Sequence, residues 1–171
     1  AIINDKHPIF IAIGISEGTR TANGGYTRAY YGHTDPGNGA HNVGTVSGQQ
    51  GGSPASSDRR WMATLTGTAS RVTPLLQRMG LQPGTQGWNR ILFNVLDLNV
   101  QAPAAAGDFI KKIPQIIQQG ASIEAIAKAR ADSFINPRTG RLDAGGFGNS
   151  YKRLFQDQRS RAGVWDYRRR I

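Results

Sequence analysis

The sequence predicts a mainly α (α+β) fold: an N-terminal helix, a small hairpin lobe rich in glycine and tyrosine over about residues 18–52, and a helical body over about 56–171. Three observations carry this. Apolar residues recur at helical spacing before residue 18 and again after residue 56. Ten glycines crowd into residues 18–52, where that periodicity stops. The chain has 171 residues and no internal repeat, which favours one domain, residues 1–171, with a core of its own.

The elements follow in order. From Asn4 to Glu17 the pattern is helical, with Asn4 or Asp5 as cap, Pro8 in the first turn, and Ile9, Ile13 and Glu17 on one face at intervals of four. In the lobe, the alternating piece Tyr26-Thr27-Arg28-Ala29-Tyr30-Tyr31 predicts a short strand. After Ser53-Pro54-Ala55-Ser56-Ser57-Asp58, the residues Trp61, Leu65, Val72, Leu75, Leu76 and Met79 line one side of a helix ending at Gly80, with a kink expected at Pro74. Trp88 to Val100 is apolar on most of its surface, as in a buried central helix. A shorter helix over Asp108–Gln119 is broken by Pro114, and Ser122 caps another reaching about Phe134. Asn136-Pro137 and Gly140 mark a turn, Asp143 to Ser150 a loop, and Tyr151 to about Ala162 a last helix.

Composition narrows the chemistry. With no cysteine there are no disulfides, thiolate nucleophiles or cysteine metal ligands, and the redox compartment stays open. No apolar run approaches the roughly 20 residues of a membrane span. The chain opens on Ala1 without a basic and apolar leader, which reads as a mature form or a piece of something longer. The net charge is +10, yet residues 1–57 hold three basic and three acidic side chains, so the excess lies entirely in the remainder, with 18 basic against 8 acidic. Such a field attracts polyanions: nucleic acid, anionic lipid or acidic wall polymers.

Glu17 is one of only two glutamates. A carboxyl group closing an apolar helix stripe is partly desolvated, which disfavours its charged form and suits it to hold and deliver a proton. That is what the general acid of glycoside cleavage must do. A negative charge near a helix C-terminus is unfavourable by a few tenths to about 1 kcal/mol, which argues for a functional reason. The plainer alternative is a C-terminal helix residue ahead of a Gly18 cap.

Ser16-Glu17-Gly18-Thr19, following a short apolar helix and preceding a Gly/Tyr-rich lobe and a helical body, resembles the lysozyme-like superfamily. It is most similar to the lambda-phage type of endolysin, a peptidoglycan lytic transglycosylase whose catalytic glutamate lies in a Ser-Glu-Gly-Thr motif. The resemblance implies a lysozyme-like fold and gives Glu17 the acid/base role. The family's Gly-Ala-Gly-Arg-Tyr-Gln stretch is absent; Ser47 to Gly52 is its faint counterpart. A second carboxylate, Asp35, stands 18 positions after Glu17 with Thr34 and His33 beside it. In muramidases such an acid, or a threonine-held water, works across the cleft, so Asp35 and Thr34 are candidate catalytic partners. Thr-Asp-Pro-Gly-Asn is equally a good turn. If Asp35 is only structural, Glu17 acts alone and the sugar's own 6-hydroxyl attacks, leaving a 1,6-anhydro end.

Tyr26, Tyr30 and Tyr31 offer rings and hydroxyls to a glycan, or pack a hairpin. His33, Gln49 and neighbouring Asn38, Asn42, Ser47 and Gln50 offer hydrogen bonds suited to N-acetyl sugars. No cofactor and no metal is called for, since His33 and His41 flank Asp35 without an identified third ligand. The tail from Tyr151 carries seven basic and two acidic groups before and around Trp165 and Tyr167. It would attach the chain to anionic wall polymers or, on a rival reading, to nucleic acid. The expected function is a peptidoglycan-cleaving glycosidase, lytic transglycosylase or muramidase, acting on the MurNAc-GlcNAc backbone as a monomer. Its expected place is extracellular, in the cell envelope (periplasm), or as a phage-encoded lysin. The alternative is a non-catalytic basic module that binds nucleic acid or anionic wall surfaces.

Overall fold

A computed structural model describes residues 2–34, 41–48 and 52–170. Among them the chain is mainly helical, with eight α-helices, two two-residue strands and two short 3-10 turns. It divides into two units, residues 1–71 with 164–171 and residues 72–163, the boundary falling inside one long helix.

The first unit starts with α1 (Pro8–Glu17). Its cap is neither Asn4 nor Asp5 but His7, whose Nδ1 accepts the Ile9 N–H at 3.1 Å. Asn4 is used one turn earlier, its Oδ1 accepting the Lys6 N–H at 3.0 Å, and Asp5 is engaged by Arg20 and Tyr26. Ile9, Phe10, Ala12 and Ile13 are buried. Gly14 is buried for a different reason: a Cβ there would stand 2.0 Å from Arg20 Cγ, so the helix admits no side chain at that point.

The expected strand over Tyr26–Tyr31 is not formed. Tyr26 makes an isolated bridge with Arg20, and Arg28–Tyr31 is a 3-10 turn closed by Tyr30 N–H to Thr27 O at 3.1 Å. The turn gathers the three tyrosine rings into one group, whereas strand alternation would send Tyr30 and Tyr31 to opposite faces. The strands are β1 (His33–Thr34) and β2 (His41–Asn42), antiparallel with His33 opposite Asn42 and Thr34 opposite His41. Helix α2 (Pro54–Arg78) begins four residues ahead of Asp58 and continues past Pro74, which has no N–H to donate. Its buried stripe runs Ser57, Asp58, Leu65, Thr68, Ala69, Val72 and Leu76. The chain returns to this unit through α8 (Val164–Tyr167), a short helix beyond the expected last one, which packs on α1 and buries Trp165.

In the second unit α3 (Gln86–Gln101) is buried continuously from Ile91 to Leu98, as its apolar surface predicts. Next come α4 (Pro103–Lys111) and α5 (Ile113–Gln118). The expected Asp108–Gln119 helix is thus two, divided at Lys112, and it starts earlier because Pro103 fits a first turn and three alanines follow. Pro114 stands in the first turn of α5, where its missing N–H costs nothing. Ser122 and Ser150 cap α6 (Ile123–Asp132) and α7 (Tyr151–Ala162). One polar network ties α3, α6 and α7. Fully buried Arg130 donates to Gln158 Oε1, Asn94 Oδ1 and Asp97 Oδ2, each at 2.7 Å. Asp97 also accepts Arg161 at 2.9 and 3.0 Å. Burial works to raise the Asp97 carboxyl, but the two arginines outweigh it and hold it below its ordinary range.

Candidate active site

Glu17 is the last residue of α1 and half-buried. The helix ends there because Gly18 takes the left-handed conformation, φ 77°, and turns its N–H back to Ile15 O at 3.1 Å. Gly18 is exposed and a Cβ on it would meet nothing within 4 Å, so its conformation, not crowding, requires glycine. Ser16 Oγ, one residue before, is buried and without a hydrogen-bond partner among the described residues.

The backbone after Glu17 is held from several sides. Thr27 Oγ1 donates to Gly18 O at 2.7 Å and Thr27 N–H to Thr19 O at 2.9 Å. Fully buried Thr19 lies with its hydroxyl 2.5 Å from Thr45 O and 3.2 Å from Gly14 O, and its one proton serves the nearer. Thr45 is itself fixed by Asp58, whose Oδ1 accepts its N–H at 2.7 Å and whose Oδ2 accepts its hydroxyl at 2.8 Å. Burial lifts the Asp58 carboxyl above its ordinary range, and these two bonds work against the lift.

Arg20 completes the arrangement. Its guanidinium donates to Thr45 Oγ1 at 3.2 Å, Asp5 Oδ1 at 3.3 Å and Gly24 O at 2.9 Å, and lies 4.6 Å from the centre of the Tyr26 ring. Tyr26 OH donates to Asp5 Oδ2 at 3.0 Å. Tyr26 stacks on Tyr30 with centroids 3.9 Å apart, and Tyr31 meets Tyr30 edge-on at 5.2 Å. Burial raises both the Tyr30 and Tyr26 hydroxyls, with Asp58 adding to the first and Asp5 to the second. Within this group Tyr30 is buried, while Tyr26 and Tyr31 are 41% and 66% exposed.

The chain matches no family model, no curated protein and no solved structure. The site therefore rests on its own geometry. Of the predicted residues, Glu17 stands at the helix end, the three tyrosines form one aromatic group, and His33 and exposed Thr34 lie in β1. Asp35 and Gln49, with Asn38 and Gln50, lie outside the described residues. Among the described residues no three His, Asp or Glu side chains gather as a metal site would require.

Sequence reasoning passed over Thr19, Arg20, Thr45 and Asp58, which position the segment after Glu17. Asp58 had a signal, because it extends the stripe of Trp61 and Leu65 by one turn and so faces inward. The partners of Thr45 had none, since they come together across separations of 13 to 26 residues.

In the tail, Trp165 is buried and Arg168 lies 3.5 Å from its ring centre, also donating to Trp165 O. Of the tail aromatics, Tyr167 keeps an open face, at 49% exposure.

Proposed function

We propose that this chain is a lysozyme-like glycosidase that cleaves peptidoglycan strands in the cell envelope, with Glu17 as general acid and then general base. The observation that carries the reading is a half-buried carboxylate ending an apolar helix, followed by a glycine in the left-handed conformation and a backbone clamped by Thr27 and Thr45. A carboxylate there opposes the helix dipole, at a cost of a few tenths to about 1 kcal/mol. A backbone frame held on both sides of a carboxyl group suits a catalytic acid, which must stay within hydrogen-bond reach of the proton it moves.

In the proposed reaction the Glu17 carboxyl gives its proton to the glycosidic oxygen as the C1–O bond breaks and positive charge builds on the ring. The resulting carboxylate then takes a proton from the attacking hydroxyl. Attack by the sugar's own 6-hydroxyl gives a 1,6-anhydro end; attack by water gives a reducing end. The Ser16-Glu17-Gly18-Thr19 resemblance favours the first route.

Glu17→Gln keeps the shape and removes the proton. It should lower strand cleavage by about 10²- to 10⁴-fold, the usual worth of a general acid, with an unchanged fold. Mass spectrometry of products from purified peptidoglycan then distinguishes anhydro from reducing ends. Cleavage by the variant at the wild-type rate would overturn the assignment. The absence of any product from the wild-type protein would favour the alternative, a basic module for polyanions, which the charge excess after residue 57 supports.

A further inference from the structure

The second unit contains a pocket of about 340 Å³ with mostly apolar walls. One wall is α4, where Ala104 and Asp108 share a face at a spacing of four. The other is the turn following α6, from Phe134 through Arg138 to Asp143. That turn is fixed by a bridge between Ile135 and Leu142, by Asp143 N–H to Phe134 O at 2.7 Å, and by Arg138 N–H to Asn136 Oδ1 at 2.8 Å. The pocket is of a size that takes a small ligand and is formed by paired backbone.

Its charges stand apart from the rest of the chain. From Asp58 onward eight carboxylates share the sequence with 18 lysines and arginines, and most of them are engaged. Asp58, Asp97, Glu124, Asp132 and Asp157 all accept hydrogen bonds, and Asp166 is also engaged. Two remain. Asp143 has no side-chain partner among the described residues, and Asp108 has only Lys111 at 3.9 Å, whose side chain is 82% exposed. Both line this pocket, and so does Arg138, whose guanidinium also lacks a partner among the described residues.

Groups of both signs that line one apolar pocket and do not neutralise each other match a ligand carrying both signs. We propose that the pocket binds the zwitterionic head of an α-amino acid on an aliphatic chain. Asp108 and Asp143 receive the ammonium, Arg138 receives the carboxylate through its planar fork, and Ala105, Phe134 and Ile135 cover the methylenes. Diaminopimelyl side chains of wall peptides end in this group. That bearer rests on the peptidoglycan reading above; the binding does not.

Isothermal titration with meso-2,6-diaminopimelate tests it, with 1,5-diaminopentane, which lacks the carboxylates, and heptanedioate, which lacks the amines, as controls. Saturable binding about tenfold or more tighter than either control is expected, since hydrogen bonds to charged groups are among the stronger ones. Arg138→Gln and the double change Asp108→Asn, Asp143→Asn should each weaken it by about tenfold without moving the thermal midpoint. Glu17→Gln should bind as wild type does, which separates this proposal from the catalytic one. A wall tripeptide ending in the same residue should bind at least as tightly as the free amino acid; binding of the free acid alone would assign the pocket to the free ligand. Equal binding of the controls, indifference to the charge variants, or no saturable heat would overturn the proposal.

Discussion

Thr45 needs two acceptors, one for its N–H and one for its hydroxyl, and Asp58 supplies both oxygens while nearly inaccessible to solvent. Asn at position 58 has a single acceptor oxygen, so one donor of Thr45 is left unsatisfied in a buried place. Asp58→Asn should therefore cost about 1–3 kcal/mol, seen as a lower urea midpoint at unchanged slope. Because Thr45 O receives Thr19 and Thr45 Oγ1 receives Arg20, the disturbance reaches the backbone just after Glu17. Under the glycosidase reading, strand cleavage should fall by up to about a hundredfold, as small displacements in an active site do. Wild-type stability in this variant would show that Thr45 does not depend on Asp58.

At the scale of elements, α3, α6 and α7 are joined by an arginine that has no access to water. Asp97 is the carboxylate on which both Arg130 and Arg161 converge. Removing its charge leaves two cations without their counter-ion, and breaking a buried pair in this way costs about 3–5 kcal/mol. The pH dependence has a definite sign. A folded carboxyl held below its ordinary value of 3.8 contributes stability that is fully present above that value and is lost as pH falls through the folded one. The stability gap between wild type and Asp97→Asn, measured by denaturant titration, should be wide at neutral pH and shrink progressively as pH falls below 3.8. A gap independent of pH would show that the Asp97 charge is not what joins the helices.

These elements were legible to different depths. The buried α3 and the serine caps of α6 and α7 follow from local periodicity and hydroxyl placement, which are short-range. The Arg130 network was not legible, although Asn94 and Asp97 inside an all-round apolar helix marked where a polar partner was needed. Tyr26–Tyr31 misled because its alternation looks like a strand, while ring packing and the Thr27 turn chose otherwise. His7 was missed as a cap because a neutral imidazole nitrogen is an uncommon acceptor at that position. Near the candidate site, the helix end at Glu17 and its Gly18 cap were readable from neighbouring residues alone; the frame behind them was not, being built from Thr45 and Asp58 far along the chain.

Across the whole molecule, the excess of positive charge lies after residue 57, and such a field attracts polyanions. Arg168 is held against Trp165, and its guanidinium is shifted down by burial, so of the last three arginines Arg169 and Arg170 are the outward ones. Under the glycosidase reading, replacing both with Gln should weaken adsorption to purified walls at low ionic strength and leave cleavage of short soluble fragments unchanged. The difference should vanish as salt rises, since attraction beyond about 10 Å is screened at 0.1 M. An equal loss on soluble fragments would place the tail in the catalytic step.

Each unit also contains an arginine whose Nε–H is sealed from solvent: Arg20 donates to Gly24 O at 3.1 Å in the first, Arg130 to Gln158 Oε1 at 2.7 Å in the second. Exposed guanidinium protons exchange with water too fast to follow easily, whereas a buried, bonded one exchanges only when its surroundings open. The two side-chain resonances thus act as internal clocks, one per unit. Equal rates would mean that the halves of the chain open in a single event, and unequal rates would rank them, with no label, mutation or ligand added.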